Sequence, residues 1–289
     1  MAKYQIIRGR HIGPDELATI KEFVSLYWHK GRTEISKALC RHWEWKQPNG
    51  WLKERACRDV LLKLHRQGDI ELPPGKHCGS SGKKYVQSQK FLFETCPVEG
   101  PVSQFRSLTF SMVRKTSNEK LWDQLVHQHH YLGQPLIVGS YLKYLAYLDG
   151  QIVACLGWGS AAWKVASRDE FIGWDQDTRK QNLHHVVNNV RFLVLPWVRV
   201  PHLASKLLAA NIKVLKQDWL DFYNVPVWLA ETFVDTSRFQ GTCYKAANWI
   251  HVGSTAGSGK RGASYYYHAN SKAVFVYPLH KSFRERLHG

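Results

Sequence analysis

Between Pro14 and Lys30, apolar residues fall at Leu17, Ile20, Phe23, Val24 and Tyr27. That spacing of three and four predicts a helix ended by Gly31. Thr33 is placed to cap a second helix from Glu34 to about Trp43, in which Ile35 and Leu39 stand four apart. A turn through Pro48, Asn49 and Gly50 leads into a third helix, from about Leu52 to Gln67. Ala56, Cys57, Val60, Leu61 and Leu64 share one of its faces, with Arg55, Arg58 and Arg66 opposite. Gly68 stops it, and Ile70 and Leu72 begin a short strand.

The pattern then changes. Residues 73–85 are rich in Pro, Gly, Ser and Lys, and CPVEGPV (96–102) reads as a linker. Beyond it, a helix is expected from Ser117 to Tyr131, then a hairpin of 141–148 and 151–159 turned by Asp149-Gly150. The stretch from Trp163 to Leu183 is weakly patterned and reads as irregular. Residues 190–195 predict a strand, and Pro201 starts a long helix with Leu203, Leu207, Leu208, Ile212 and Leu215 inside. Strand 225–235, a short helix 238–247 and two closing strands, IHVGS and AVFVYPL, follow. The division is therefore 1–95, a linker at 96–102, and 103–289.

Charge adds the next constraint. The 289 residues carry 40 Lys and Arg against 23 Asp and Glu, a net +17, which points to a polyanion, nucleic acid before membrane. Residues 30–90 alone hold 14 Lys and Arg against 6 Asp and Glu. No apolar run is long enough to span a membrane, and the start lacks a signal-peptide core. Six scattered cysteines without a CxxC pair fit free thiols in a cytosolic, nucleoid-associated protein.

Three helices, a strand and a basic Gly-rich loop make the plan of a winged helix-turn-helix. Its third helix would offer Lys53, Arg55, Arg58 and Arg66 to DNA, and its wing would offer Lys76, Lys83 and Lys84 to phosphates. The competing reading is a protein-binding winged helix whose arginines are only solvated, with Arg55 paired to Asp59.

The second half resembles the GNAT acetyltransferase fold in its order of strand, loop, helix, strand, short helix, strand, strand. Tyr244 falls where that family often carries a catalytic tyrosine. Its pyrophosphate loop is not reproduced: in Arg199-Val200-Pro201-His202-Leu203-Ala204, His202 takes the glycine position and Pro201 removes an amide donor. This argues against acetyl-CoA as a cofactor. Five segments are similar to the DruA family of the Druantia anti-phage system, whose members also occur beside transposases: 48–74, HHYLG (129–133), 161–175, 188–205 and 231–260. The resemblance implies phage defence or mobile-element biology, without a chemical mechanism.

GSTAGSGK (253–260) fails the phosphate-loop template, because Ser254 stands at its first glycine and Arg261 at its Ser/Thr. A basic loop offering Lys260 and Arg261 to phosphates is the better reading. His127, His129 and His130, and the pair His184 and His185, match no zinc spacing. In AETFVD, alternation puts Glu231, Phe233 and Asp235 on one face, the two acids four residues apart along the strand. A half-buried Arg191 needs a carboxylate, and Glu231 is the natural partner. In one reading such a pair serves register alone; in the other Glu231, Asp235, Tyr244, Asn248 and Arg191 form a catalytic pocket that holds a divalent metal ion or acts as a general base.

The expected protein is thus α+β or α/β: an N-terminal winged helix-turn-helix plus a GNAT-like mixed-sheet domain. It is expected to recognise, and through its pocket process, DNA. The alternatives are an N-acyltransferase with a winged-helix targeting module and a non-catalytic DNA-binding adaptor. Its expected partners are DNA and other defence-system or transposase proteins, and no membrane.

Overall fold

The computed structural model describes residues 5–8, 10–47, 50–75, 96–137, 139–261, 264–267 and 271–289; for 258–261 and 264–267 it describes the backbone alone. The chain divides into two compact units, Met1–Lys90 and Phe91–Gly289.

The first unit opens with a short antiparallel hairpin, β1 (Gln5–Ile7) and β2 (Arg10–Ile12), which the sequence pattern did not reveal. Helix α1 (Pro14–Leu26) starts on a proline, whose missing N–H costs nothing at that position, with Asp15 and Glu16 in its first turn. Helix α2 (Arg32–His42) is preceded by Gly31 at φ 86°, so Gly31, not Thr33, occupies the cap. Helix α3 (Glu54–Arg66) buries Cys57, Val60, Leu61 and Leu64 at i, i+3, i+4 and i+7, against Ile20, Val24, Ile35 and Leu39. Ile70 and Leu72 are buried but form no strand. The expected wing, with Lys76, Lys83 and Lys84, lies outside the described residues.

The second unit is built on a mixed sheet. Its elements are β3 (Val98–Glu99), β4 (Leu108–Met112), α4 (Glu119–His129), β5 (Tyr141–Leu148) and β6 (Gln151–Ser160). Then come α5 (Ala166–Ile172), α6 (Gln176–Asn182), β7 (Val186–Val194), β8 (Val198–Arg199), α7 (Leu203–Tyr223) and β9 (Leu229–Asp235). The chain ends with α8 (Thr242–Ala246), β10 (Ile250–Ser254), β11 (Ser258–Arg261), β12 (Ser264–Tyr267), β13 (Lys272–Pro278) and α9 (Phe283–His288). The seven-stranded sheet runs β10-β13-β9-β7-β6-β5-β4, with β7 and β9 parallel and every other pair antiparallel.

The expected β5–β6 hairpin forms, with Asp149 at φ 46° and Gly150 at φ 85°, the left-handed pair that matches strand twist. Helix α7 packs Leu203, Leu207, Leu208, Ile212 and Leu215 on one sheet face, against Leu142, Tyr144, Leu156 and Trp158. Helix α4 packs Trp122, Leu125 and Val126 on Leu145, Cys155 and Leu193. Both faces are covered, so β5 is apolar almost throughout. Its one charge, Lys143, is buried and held by Glu119 at 2.9 Å and Asp123 at 2.7 Å.

Three expectations are corrected here. Residues 96–102 are not a free linker: β3 pairs in parallel with β8, and Val98 joins the main core. Residues 163–183 are not irregular but contain α5 and α6. GSTAGSGK is not a loop throughout, since its last residues enter β11, which pairs with β12.

Candidate functional site

The parallel contact between β7 and β9 lasts only from Val186↔Leu229 to Asn188↔Glu231. One reason is a bulge: Trp158 faces Asn189 and Gly157 faces Arg191, so Val190 is the extra residue and β7 bends there. Asn189 stabilises the bend. Its amide nitrogen donates to the Gly157 and Arg191 carbonyls at 3.1 and 3.3 Å, and its backbone carbonyl accepts from the Thr232 hydroxyl at 3.1 Å. Past this point the strands part around a cavity of about 400 Å³.

Of the five expected catalytic residues, Arg191, Asp235 and Tyr244 line this cavity. The Tyr244 hydroxyl donates to the Asn189 side-chain oxygen at 2.8 Å. Burial holds its pKa well above the ordinary phenol value, so Tyr244 stays a proton donor. Asp235 accepts from the Ser237 hydroxyl at 2.6 Å and the Ser237 N–H at 3.1 Å, and the hydroxyl contact keeps it ionised below the usual carboxylate range.

Glu231 and Asn248 are not at the cavity. Glu231 is 0% exposed and bound by Arg168 Nη1 at 2.7 Å and the Ala162 N–H at 2.7 Å. Arg168, also 0% exposed, is shared with Asp169, which takes a further bond from Arg179 and one from Trp174 Nε1. The expected Arg191–Glu231 pair therefore does not exist. Arg191 donates instead to the Gly133 carbonyl at 2.9 Å and the Val190 carbonyl at 2.7 Å, so backbone oxygens replace the carboxylate. Asn248 is exposed, at φ 61° in the turn after α8. Glu231 and Asp235 thus do not flank one space. No group of three or more His, Cys, Asp or Glu able to hold a metal ion occurs among the described residues.

The cavity mouth holds residues that sequence reasoning missed as site residues, although they fall in the segments HHYLG and 231–260. The His130 ring stacks on Tyr131 at 4.8 Å, Phe239 lies 5.3 Å from Tyr131, and the Arg238 guanidinium sits 4.7 Å over the Tyr131 ring. His130 Nδ1 accepts the Leu132 N–H at 3.1 Å. Burial, aided by Arg191, pulls its pKa down to about 4, so the ring is neutral at pH 7.

In the first unit, α3 exposes Arg55, Lys63 and Arg66. Asp59, the expected partner of Arg55, is taken by Arg8 from the turn of the β1–β2 hairpin. Arg55 and Arg66 have no acidic partner among the described residues. Arg58 is half-buried with its Nε enclosed and unbonded, and Lys53 precedes the helix, half-buried. Lys260 and Arg261 lie on β11, opposite Tyr265 and Ser264. At the start of α7, His202 is left-handed at φ 61°, and the Leu203 N–H is directed to the Val200 carbonyl at 3.3 Å.

Residues 66–266 match the family described as Druantia protein DruA. A comparison with curated proteins gives no match. Among solved structures, the chain is similar to an aminoglycoside acetyltransferase in complex with coenzyme A, at 15% identity over 62% of this chain and 98% of that one, TM-score 0.40. It is also similar to the ribosomal-protein-S18-alanine N-acetyltransferase from Escherichia coli, at 10% identity over 61% and 96%, TM-score 0.39. An N-acetyltransferase from Staphylococcus aureus Mu50 gives 10% identity over 60% and 99%, TM-score 0.38.

Proposed function

The chain belongs to the DruA family, and from that premise we propose that it is a DNA-binding protein of a phage-defence or mobile-element system. The first unit acts as a winged helix, with α3 as its recognition helix. The observation that carries this reading is the cationic face of α3, where Arg55, Lys63 and Arg66 are exposed while Asp59 is engaged by Arg8. Arginines held this way meet guanine edges or phosphates without first breaking an ion pair. Arg58, half-buried, contributes less than its position in the sequence implies. The cavity between β7 and β9 is the place for any processing chemistry, with Tyr244 as proton donor and Asp235 as the ionised group.

The start of α7 disfavours the acyltransferase reading. Pro201 lacks an N–H and the Leu203 N–H is turned inward, so the anion-binding end of the helix is short of donors. Fluorescence anisotropy with a labelled duplex tests the proposal. The double variant Arg55→Ala/Arg66→Ala should bind at least tenfold more weakly than the wild type, since each lost base contact is worth ~1–3 kcal/mol. Unchanged affinity would leave α3 a solvated helix.

A further inference from the structure

Two aromatic side chains stand together at the cavity mouth with much of their surface open, Tyr131 at 37% and Phe239 at 49% exposed. They lie 5.3 Å apart, with Arg238 4.7 Å over the Tyr131 ring and His130 stacked on it. An exposed ring beside a second one that lies under a guanidinium forms a surface that gains when a flat π-system covers it. Beside them Asp235 uses one carboxylate oxygen, Oδ1, for Ser237, while Oδ2 accepts no hydrogen bond among the described residues. Arg191 adds a second positive charge inside the cavity wall.

The site thus offers a stacking platform, a vacant acceptor suited to an exocyclic amine, and cations suited to a phosphate. We infer that this cavity receives a single unpaired nucleotide of a nucleic-acid strand, its base stacked on Phe239 with an edge against the tilted Tyr131 ring and its phosphate met by Arg238. The inference rests on the DNA-binding reading for the identity of the strand. A cavity of about 400 Å³ has room for one nucleotide, and a paired base keeps both faces stacked on its neighbours, so a duplex is read here only where a base is already unpaired or is extruded.

The test compares two short fluorescein-labelled duplexes in anisotropy titrations with the full chain. One carries a single bulged adenine, and the other an abasic residue at the same place. The wild type should bind the adenine duplex about tenfold more tightly, the scale of one base–aromatic stack. That ratio should fall to near one in Tyr131→Ala and in Phe239→Ala, and survive in Tyr131→Phe. Arg55→Ala/Arg66→Ala should weaken both duplexes alike and leave the ratio intact. Should Tyr131→Ala not fold, Phe239→Ala alone decides. A wild-type ratio of one overturns the inference, as does a ratio that persists without either ring. If neither duplex binds, the DNA reading has failed, and calorimetry with adenosine monophosphate decides the cavity. Binding lost in Phe239→Ala then supports it, and no binding overturns it. Acetyl-CoA binding that is lost in Phe239→Ala, with equal affinity for both duplexes, would reassign the cavity to a thioester carrier.

Discussion

Glu231 and Arg168 face each other with neither side chain reaching water, and their pair continues through Asp169 to Arg179. Removing one partner of such a network leaves the other charged and buried. Glu231→Gln should therefore cost ~3–5 kcal/mol, read as a lower urea midpoint. Asp235→Asn touches only a turn at the cavity rim and should leave that midpoint near wild type. Equal midpoints for the two variants would mean that the network is not structural. The sequence showed that a buried arginine must meet a carboxylate, yet it selected Arg191. Periodicity made the strand containing Arg191 visible and hid the segment containing Arg168. A second residue-scale prediction concerns His130. The unfolded chain takes up its proton near pH 6.5 and the folded chain only near 4, so between these values the unfolded state binds more protons and stability rises with pH. His184, also held down to about 4 by burial, adds to the same window. Thermal melting should fall from pH 7 to pH 5, and His130→Gln should reduce the slope. A slope that stays the same in this variant would show that His130 titrates normally.

At the scale of elements, legibility followed the distribution of apolar residues. Helices α1, α3 and α7 and the β5–β6 hairpin were readable because an apolar stripe or alternation faces a core. Helices α5 and α6 were not, because their buried residues include Arg168, Asp169 and Arg179, which read as surface. Strand β9 was visible, but which residues faced the cavity was not. That depends on where β7 and β9 part, and so on a bulge at Val190 that no period announces. The short helix α8 shows a local rule with a long-range cause. Gly241 precedes it at φ 67°, and a Cβ there would lie 2.8 Å from the Phe275 ring of β13. Gly241→Ala should thus pay twice, for the left-handed backbone and for the displaced ring, at ~1–3 kcal/mol each. Chemical denaturation reads the loss. A change below ~0.5 kcal/mol would mean that α8 can shift as a whole, a result typical of unconstrained surface positions.

On the scale of the whole molecule, +17 is a property of the chain, whereas recognition belongs to a few side chains. The two make different demands on a salt titration. A protein that neutralises several phosphates releases counterions, so log K falls linearly with log salt, with a slope of about −0.9 per phosphate contact on B-DNA. The wild type should show such a slope, several units steep, on any duplex sequence. If Arg55 and Arg66 meet phosphates, their removal should make it shallower by about two units and weaken all sequences alike. If they read base edges, the slope should barely change, while the preferred sequence loses affinity and others do not. At low salt the remaining positive charge keeps even the double variant bound, so the comparison is decisive only near ~150–200 mM, where the Debye length has shrunk to about 8 Å. A wild-type slope shallower than one would mean that hardly any phosphate is neutralised. The charge would then serve solubility, and the role of α3 would have to be sought in binding another protein.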